Sequence, residues 1–280
     1  MRHAAWLFLV SLAIQVASAF AQIRPLVTEP AAIIDKDVLR IEAGFEFLQD
    51  VELRHSGLEG DLTRLGSLGL RYGAGTRVEI GIFWTVRQFL NVDHRFPAPL
   101  SSALNFSGNS TSDVGNAVLA TKLALLREGP RRPAISFRFA TELPNASTEK
   151  RIGVDETNFT AEVLTEKRYR GLRLIGNVGL AILGDPLTPG AQDDLLTYGL
   201  ATVLPVANDL NLVCDWHGRT GAGGVGTEDQ STVRLGVQIR SGNFHWDGGL
   251  LLGLLDTDPK TGVIVGLPYD FDLSGEPCHL

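Results

Sequence analysis

The sequence predicts an all-β fold, a single antiparallel transmembrane β-barrel of about 12 strands. Three observations lead there. Apolar and polar residues alternate over unusually long runs, the links between runs alternate between short and long, and aromatic residues collect near the run ends.

The two ends of the chain set the frame. Arg2 and His3 form a basic start, residues 4–16 are almost unbroken apolar sequence, and Ala19-Phe20-Ala21 puts small residues at the −3 and −1 positions of a cleavage site. That apolar run is shorter than the roughly 20 residues of a spanning helix, so it reads as a cleaved export signal. The expected organisation is therefore a signal peptide at 1–21, an extended lead-in at 22–37 marked by Pro25 and Pro30, the barrel at 38–273, and a C-terminal tail at 274–280. The lead-in is too short for a plug domain. The formal net charge of −7 argues against a nucleic-acid partner. The partners expected instead are outer-membrane lipids, the barrel-insertion machinery and a small-molecule solute, and the expected location is the bacterial outer membrane. Cys214 sits in a strand-like run and Cys278 in the tail; Cys214 is expected to face lipid and the two not to pair.

The strands follow from a period of two. Leu39, Ile41, Ala43, Phe45 and Phe47 alternate with Arg40, Glu42, Gly44 and Glu46, and Val233, Leu235, Val237 and Ile239 alternate with Arg234, Gly236, Gln238 and Arg240. The same pattern predicts strands near 38–49, 62–73, 76–90, 113–127, 132–144, 156–169, 171–184, 194–206, 208–219, 230–241, 243–255 and 261–273. Ordinary strands average about 5–6 residues, whereas a tilted membrane-crossing strand needs about 9–11. Short links at 73–75, 128–131, 170–171, 207–208 and 241–242 carry turn formers, and longer links fall between them at 50–61, 91–112, 145–155, 185–193, 220–229 and 256–260. Trp84 and Trp216 are expected near the outer ends of their strands, and Tyr72, Tyr169, Trp246 and Tyr269 near the inner ends. Pro205 and Pro268 must then occupy bulges or strand ends.

Part of this pattern resembles a known family. Ser112-Asp113-Val114-Gly115-Asn116, then Lys122, then a run ending Glu142-Leu143-Pro144 is similar to the outer-membrane barrels of the putative MetA-pathway of phenol degradation family, which carry Gly-x-Gly-Asp, a Lys and a strand ending in Leu-Pro. Gly115 and Lys122 match; Asp113 and Asn116 stand where Gly and Asp are usual, and Asn145 replaces a Thr or Ser. The resemblance covers about 110–205 and implies a transporter-like barrel handling hydrophobic or aromatic compounds.

The polar faces of the strands define the candidate site. Arg40, Glu42, Glu46, Arg71, Glu79, Lys122, Arg138, Glu142, Glu162, Arg173, Asp215, His217, Arg234, Arg240 and Asp247 share the inward parity, as do Arg87 and Glu166, so a wet lumen of mixed charge is expected. Gly44, Gly69, Gly81, Gly179, Gly236, Gly249 and Gly253 fall on that face and make room for a channel. The function expected is passive uptake of small, hydrophobic or aromatic solutes, with no catalytic residue, cofactor or metal. One alternative is a non-conducting surface barrel whose loop 91–112, with Phe96 and Phe106, binds a partner. Another is a barrel hydrolase using lumen His217 or His245, each two residues from an Asp. The glycine-rich 221–226 lacks the Lys-Ser/Thr of a phosphate loop and reads as a flexible outer loop. The acidic stretches 193–194 and 256–258 read as solvated loop carboxylates rather than Ca²⁺ ligands.

Overall fold

The computed structural model describes residues 25–147, 150, 152–153, 156–221 and 223–274; the expected export signal, Cys278 and most of the tail lie outside the described residues. Its strands are β1 (Val38–Leu53), β2 (Leu58–Gly73), β3 (Val78–Arg95), β4 (Ser110–Asp113), β5 (Ala117–Leu126), β6 (Ala134–Leu143), β7 (Asn158–Tyr169), β8 (Leu172–Gly184), β9 (Gln192–Ala207), β10 (Leu210–Thr220), β11 (Gln230–Ser241), β12 (Phe244–Gly253) and β13 (Thr261–Asp272). Every pairing is antiparallel, and β1 pairs with both β2 and β13, which closes the sheet on itself. Both β4 and β5 pair with β3, so they are two pieces of one wall strand and the barrel has twelve. No α-helix occurs among the described residues.

The break at 114–116 has a packing cause. The Gly115 N–H donates to the Thr85 carbonyl at 2.8 Å, and a Cβ on Gly115 would lie 2.7 Å from the Thr85 Cβ, so the chain steps in against β3 only because the residue is glycine.

Alternation sorts the two faces as period two requires. Arg40 and Glu42 are buried while Ile41 between them is exposed. The outward face is a belt of exposed apolar side chains, among them Leu119, Phe139, Val178, Leu200, Leu235 and Leu250. A soluble protein rarely leaves so continuous an apolar surface uncovered.

Two differences from the sequence pattern matter. First, β1, β2 and β3 run further than expected, so the link after β1 shrinks to 54–57 and Trp84 lies mid-strand rather than at an end. Second, the parity flips within β2 and β3. Gly66 adopts φ +66°, forming a bulge with Ser67, Gly69 and Arg71 inward on one side and Arg64 and Leu62 inward on the other. A matching step between Thr85 and Gln88 turns Arg87 outward, where it donates to Ser112 Oγ at 2.7 Å. Beyond Arg64 and Gln88 the inward face turns apolar, and Leu58, Leu62, Leu90 and Val92 join Leu48, Val51, Leu251 and Ile264 in the largest buried cluster. Pro205 lies beside a register shift between β9 and β10, and Pro268 where the β12–β13 ladder lapses, both places that do not need its missing N–H.

Candidate functional site

The polar face of the wall is an interlocked set of ion pairs. Arg40 binds Asp270 with two hydrogen bonds of 2.6 and 2.8 Å, and the buried His245 ring sits 3.3 Å from the same carboxylate. Arg71 reaches Glu42 at 2.9 Å and Glu79 at 3.0 Å, Arg138 pairs with Glu162 at 3.2 Å, and Arg173 with Glu166 at 2.5 Å. Glu46 takes both Arg64 at 2.6 Å and Arg234 at 3.3 Å. Glu142 accepts from Asn116 and Asn158, and Asp247 is buried facing Gln238 across the β11–β12 ladder. Charges withdrawn from water must be paired in this way. Arg240 departs from the expected set: it has the inward parity but stands at the strand end, where it is exposed and turns to the Gly242 carbonyl.

The feature that sequence reading missed is the lead-in. Residues 25–34 belong to no strand and run inside the barrel, from mid-lumen to the end where the short turns lie. Their backbone is held by wall side chains. The Val27 and Thr28 N–H groups donate to Asp215 at 2.5 and 3.2 Å, Thr28 Oγ1 donates to the same carboxylate, and the Ala32 and Ile34 N–H groups donate to Glu166 and Glu79. Lys122 donates to the Pro30 carbonyl and Ser136 to that of Ala31. The Glu29 side chain takes Lys122 at 2.7 Å and Arg71 at 3.0 Å. The Asn177 amide, oriented to donate to the Glu29 carbonyl and accept from the Glu29 N–H, holds both backbone groups of that residue at 2.9 and 2.6 Å. The lumen carboxylates thus serve as partners for backbone that has no sheet to join. The inward glycines have a matching use. A Cβ on Gly249 or Gly236 would lie 2.8 or 2.5 Å from Pro25, and one on Gly199 would lie 2.5 Å from Thr28. They make room for the lead-in rather than for an empty bore.

The end bearing the longer loops is partly roofed. His55, at the tip of the β1–β2 hairpin, lies so close to Gly226 that a Cβ there would overlap its ring, and Arg54 sits 3.7 Å from Glu228. Loop 96–109 turns inward: Leu104 and Phe106 pack on the Leu58–Leu90 cluster, and Arg95 lies over the Phe106 ring. Asn116 Oδ1 accepts from the Asn145 and Ala146 N–H groups, Asp113 from that of Ser147, and Ile152 drops into the apolar cluster, so the residues of the family-like motif pin the link after β6. Asp258 accepts three backbone N–H groups, from Ser231, Leu254 and Leu255, which is a structural use of that carboxylate. Asp50, Asp61 and Asp93 bring carboxylate oxygens within 4.8 Å of one another near the loop end.

Space remains around the lead-in. At the loop end lie chambers of about 340 and 360 Å³ that share Leu53, Arg54, His55 and Arg64. A third, of about 220 Å³, is floored by Val27 and Thr28. A fourth, of about 200 Å³, runs beside the lead-in past Leu26, Arg71, Phe83 and Arg234. A fifth, of about 490 Å³, opens at the turn end between residues 31–36 and the wall.

The two histidines weighed for hydrolysis differ. His245 is 2% exposed and lies against the Asp270 carboxylate that Arg40 also holds. His217 Nε2 is 2.9 Å from Thr232 Oγ1, and its Nδ1 is 3.6 Å from Asp215, whose oxygens are already taken by the lead-in.

No family model matches the chain, and no curated protein sequence does. Solved structures do. The chain is similar to an outer membrane channel from Pseudomonas putida F1, with 14% identity over 85% of this chain and 97% of that one and a TM-score of 0.63. It is also similar to the translocator domain of the autotransporter NalP from Neisseria meningitidis, with 12% identity over 85% and 90% and a TM-score of 0.51. The NanC porin gives 9% identity over 84% and 100%, again with a TM-score of 0.51. At these identities the likeness is one of fold, and the fold is that of outer-membrane β-barrels.

Proposed function

We propose that this chain is an outer-membrane channel through which small, hydrophobic or aromatic solutes pass, with its own lead-in as the constriction. The outward apolar belt suits a lipid surround, the turn end faces the periplasm in the usual orientation of such barrels, and the sequence begins with an export signal. The observation that carries the reading is the string of chambers on both flanks of a lead-in fixed by side chains alone. The residues resembling the phenol-degradation family support the same solute class, and the P. putida channel is described as a channel.

The test is single-channel recording of the mature chain, refolded and inserted into a planar bilayer. Discrete current steps are expected. Folded protein that never conducts, either whole or with residues 22–36 removed, rejects the reading. A second reading, hydrolysis at Thr232 with His217 as base and Asp215 behind it, has the 2.9 Å contact in its favour. Covalent labelling of Thr232 by an acylating or phosphonylating probe would support it, and an unlabelled protein would dismiss it.

A further inference from the structure

Among the described residues, two buried polar atoms without a hydrogen-bond partner belong to residues that face each other across one ladder. Arg219 on β10 and Thr197 on β9 are paired across the ladder, and both line the 220 Å³ chamber. Arg219 donates from one guanidinium nitrogen to the Gly226 carbonyl at 3.1 Å, but among the described residues its Nε–H has no acceptor and Thr197 Oγ1 no hydrogen-bond partner. Arg219 makes no ion pair within 4 Å among the described residues, although most of the other lumen cations do.

The neighbouring carboxylates are already engaged. Glu162 pairs with Arg138, Glu46 with Arg64 and Arg234, and Asp215 holds the lead-in. Glu228 accepts from the Gly226 N–H, and Asp258 caps three backbone amides. Both atoms are buried, so a small rotation of the two side chains toward the chamber is what presents a guanidinium N–H beside a hydroxyl to a planar anion. An unmet buried donor is costly, so a ligand oxygen there recovers what the empty site forgoes.

The rest of the surroundings select the remainder of the ligand. Val27 floors the chamber, and the adjoining 360 Å³ space, which shares His217, Arg219 and Thr232, is walled by Leu48, Val51 and Leu251. At about 220 Å³ the chamber is below the roughly 300–1,000 Å³ of drug-sized pockets, which limits it to a one-ring or short-chain molecule.

We infer that Arg219 and Thr197 form a binding site for the carboxylate of a small apolar acid, held above the lead-in with its ring or chain toward Leu48, Val51 and Leu251. The inference rests on the channel reading for its biological use, but the site itself is an equilibrium property of the folded barrel.

Calorimetric titration of the full mature protein in detergent separates the two. The probes are benzoate, its neutral isostere benzamide, and inorganic phosphate. Saturable one-to-one binding of benzoate is expected, with benzamide and phosphate at least about tenfold weaker because one lacks the charge and the other the apolar body. Arg219→Gln should weaken benzoate by about tenfold or more, and Thr197→Val by about threefold to tenfold. Arg219→Lys keeps the charge and serves where the glutamine variant does not fold; it should lose affinity too, since the ammonium cannot present the planar fork. Absence of benzoate binding overturns the proposal, as does equal binding of benzoate and benzamide, phosphate binding as tightly as benzoate, or unchanged affinity in the Arg219 variants. A conducting protein that fails these tests sinks the site alone; a binding protein that never conducts keeps the site and sinks the channel.

Discussion

Lys122 on β5 donates to Glu29 of the lead-in at 2.7 Å, and this contact ties the lead-in to a wall strand more than ninety residues away. Arg71 shares the same carboxylate, and Glu79 in turn lies 3.0 Å from Arg71 and 3.3 Å from Lys122. The lead-in therefore adds a fifth charge to a cluster in which Arg71 and Lys122 already face Glu42 and Glu79 of the wall. Replacing Glu29 with Gln keeps the shape and removes one negative charge. The remaining glutamates still serve the two cations, so the expected stability loss is about 1–3 kcal/mol, below the roughly 3–5 kcal/mol typical of breaking a buried pair. The lead-in should loosen, and single-channel current should rise by about twofold or more as the constriction widens. Unchanged current in a folded E29Q barrel would show that this pair does not hold the constriction.

A steric route to the same state uses no charge. Gly249→Val places carbon where Pro25 packs, since even a Cβ would lie 2.8 Å from Pro25, and Gly199→Val does the same against Thr28. Both should displace the lead-in and raise conductance like E29Q, while Gly248→Ala, whose Cβ meets nothing within 4 Å, should not. Heat-modified gel mobility checks that each barrel has closed.

Asn116→Ala should free the link after β6. The Asn145 and Ala146 N–H groups lose their acceptor and Glu142 loses a donor. Unmet groups of this kind cost about 1–3 kcal/mol when buried, and these are partly exposed, so the lower half of that range is expected. Protease cutting within 145–157 should speed up with the barrel otherwise intact; an unaltered cutting rate would mean that the link is held elsewhere.

Glu128, in the turn before β6, gives a pH dependence outside the wall. Burial alone would raise its pKa, but the Arg168 N–H at 2.8 Å and Lys167 at 2.9 Å outweigh that and hold it below the usual carboxylate range. A carboxyl depressed in the folded state stabilises above its unfolded pKa of about 4.3 and loses that contribution as pH falls through the lower folded value. Glu128→Gln should thus cost a few tenths of a kcal/mol, at most about 1, at neutral pH, and the difference from wild type should vanish well below pH 4. Unfolding midpoints of the two proteins across that range are the measurement; a gap that persists in acid would assign it to something other than charge.

Cys214 lies on the outward face between Leu212 and Trp216 and is exposed on the isolated barrel. In liposomes, in a Cys278→Ser background, a charged maleimide should fail to reach it while an apolar one reacts. Rapid labelling by the charged reagent would place that face in water.

Much of the wall was legible because a strand with one apolar and one polar face writes its own period. Each of the twelve expected runs has a counterpart, with β4 and β5 together filling one of them. What period two does not carry is a change of phase. The bulge at Gly66 and the step between Thr85 and Gln88 reverse inside and outside within a run, which is why Arg87 faces outward against its parity while Leu62, in phase with the exposed Leu68 and Leu70, lies inside. Arg240 shows that parity sets a face but not depth along it. The lead-in was hidden for a different reason: an irregular segment has no period, and its partners lie far along the chain. Its signals were faint, a glutamate among apolar residues and a set of inward glycines read as empty space. Arg219 shares the parity of Asp215 and His217 and was within reach of the same argument.

The bond from Thr28 to Asp215 spans 187 residues. It has no partner until β10 is laid down, and the seam between β1 and β13 must shut around whatever the lead-in is doing at that moment. Contacts between such distant stretches form late. The stopper is therefore fixed only after β10 has joined the wall, as an early part of the chain is captured by a much later one. A protein caught before that capture should leak more than a finished one.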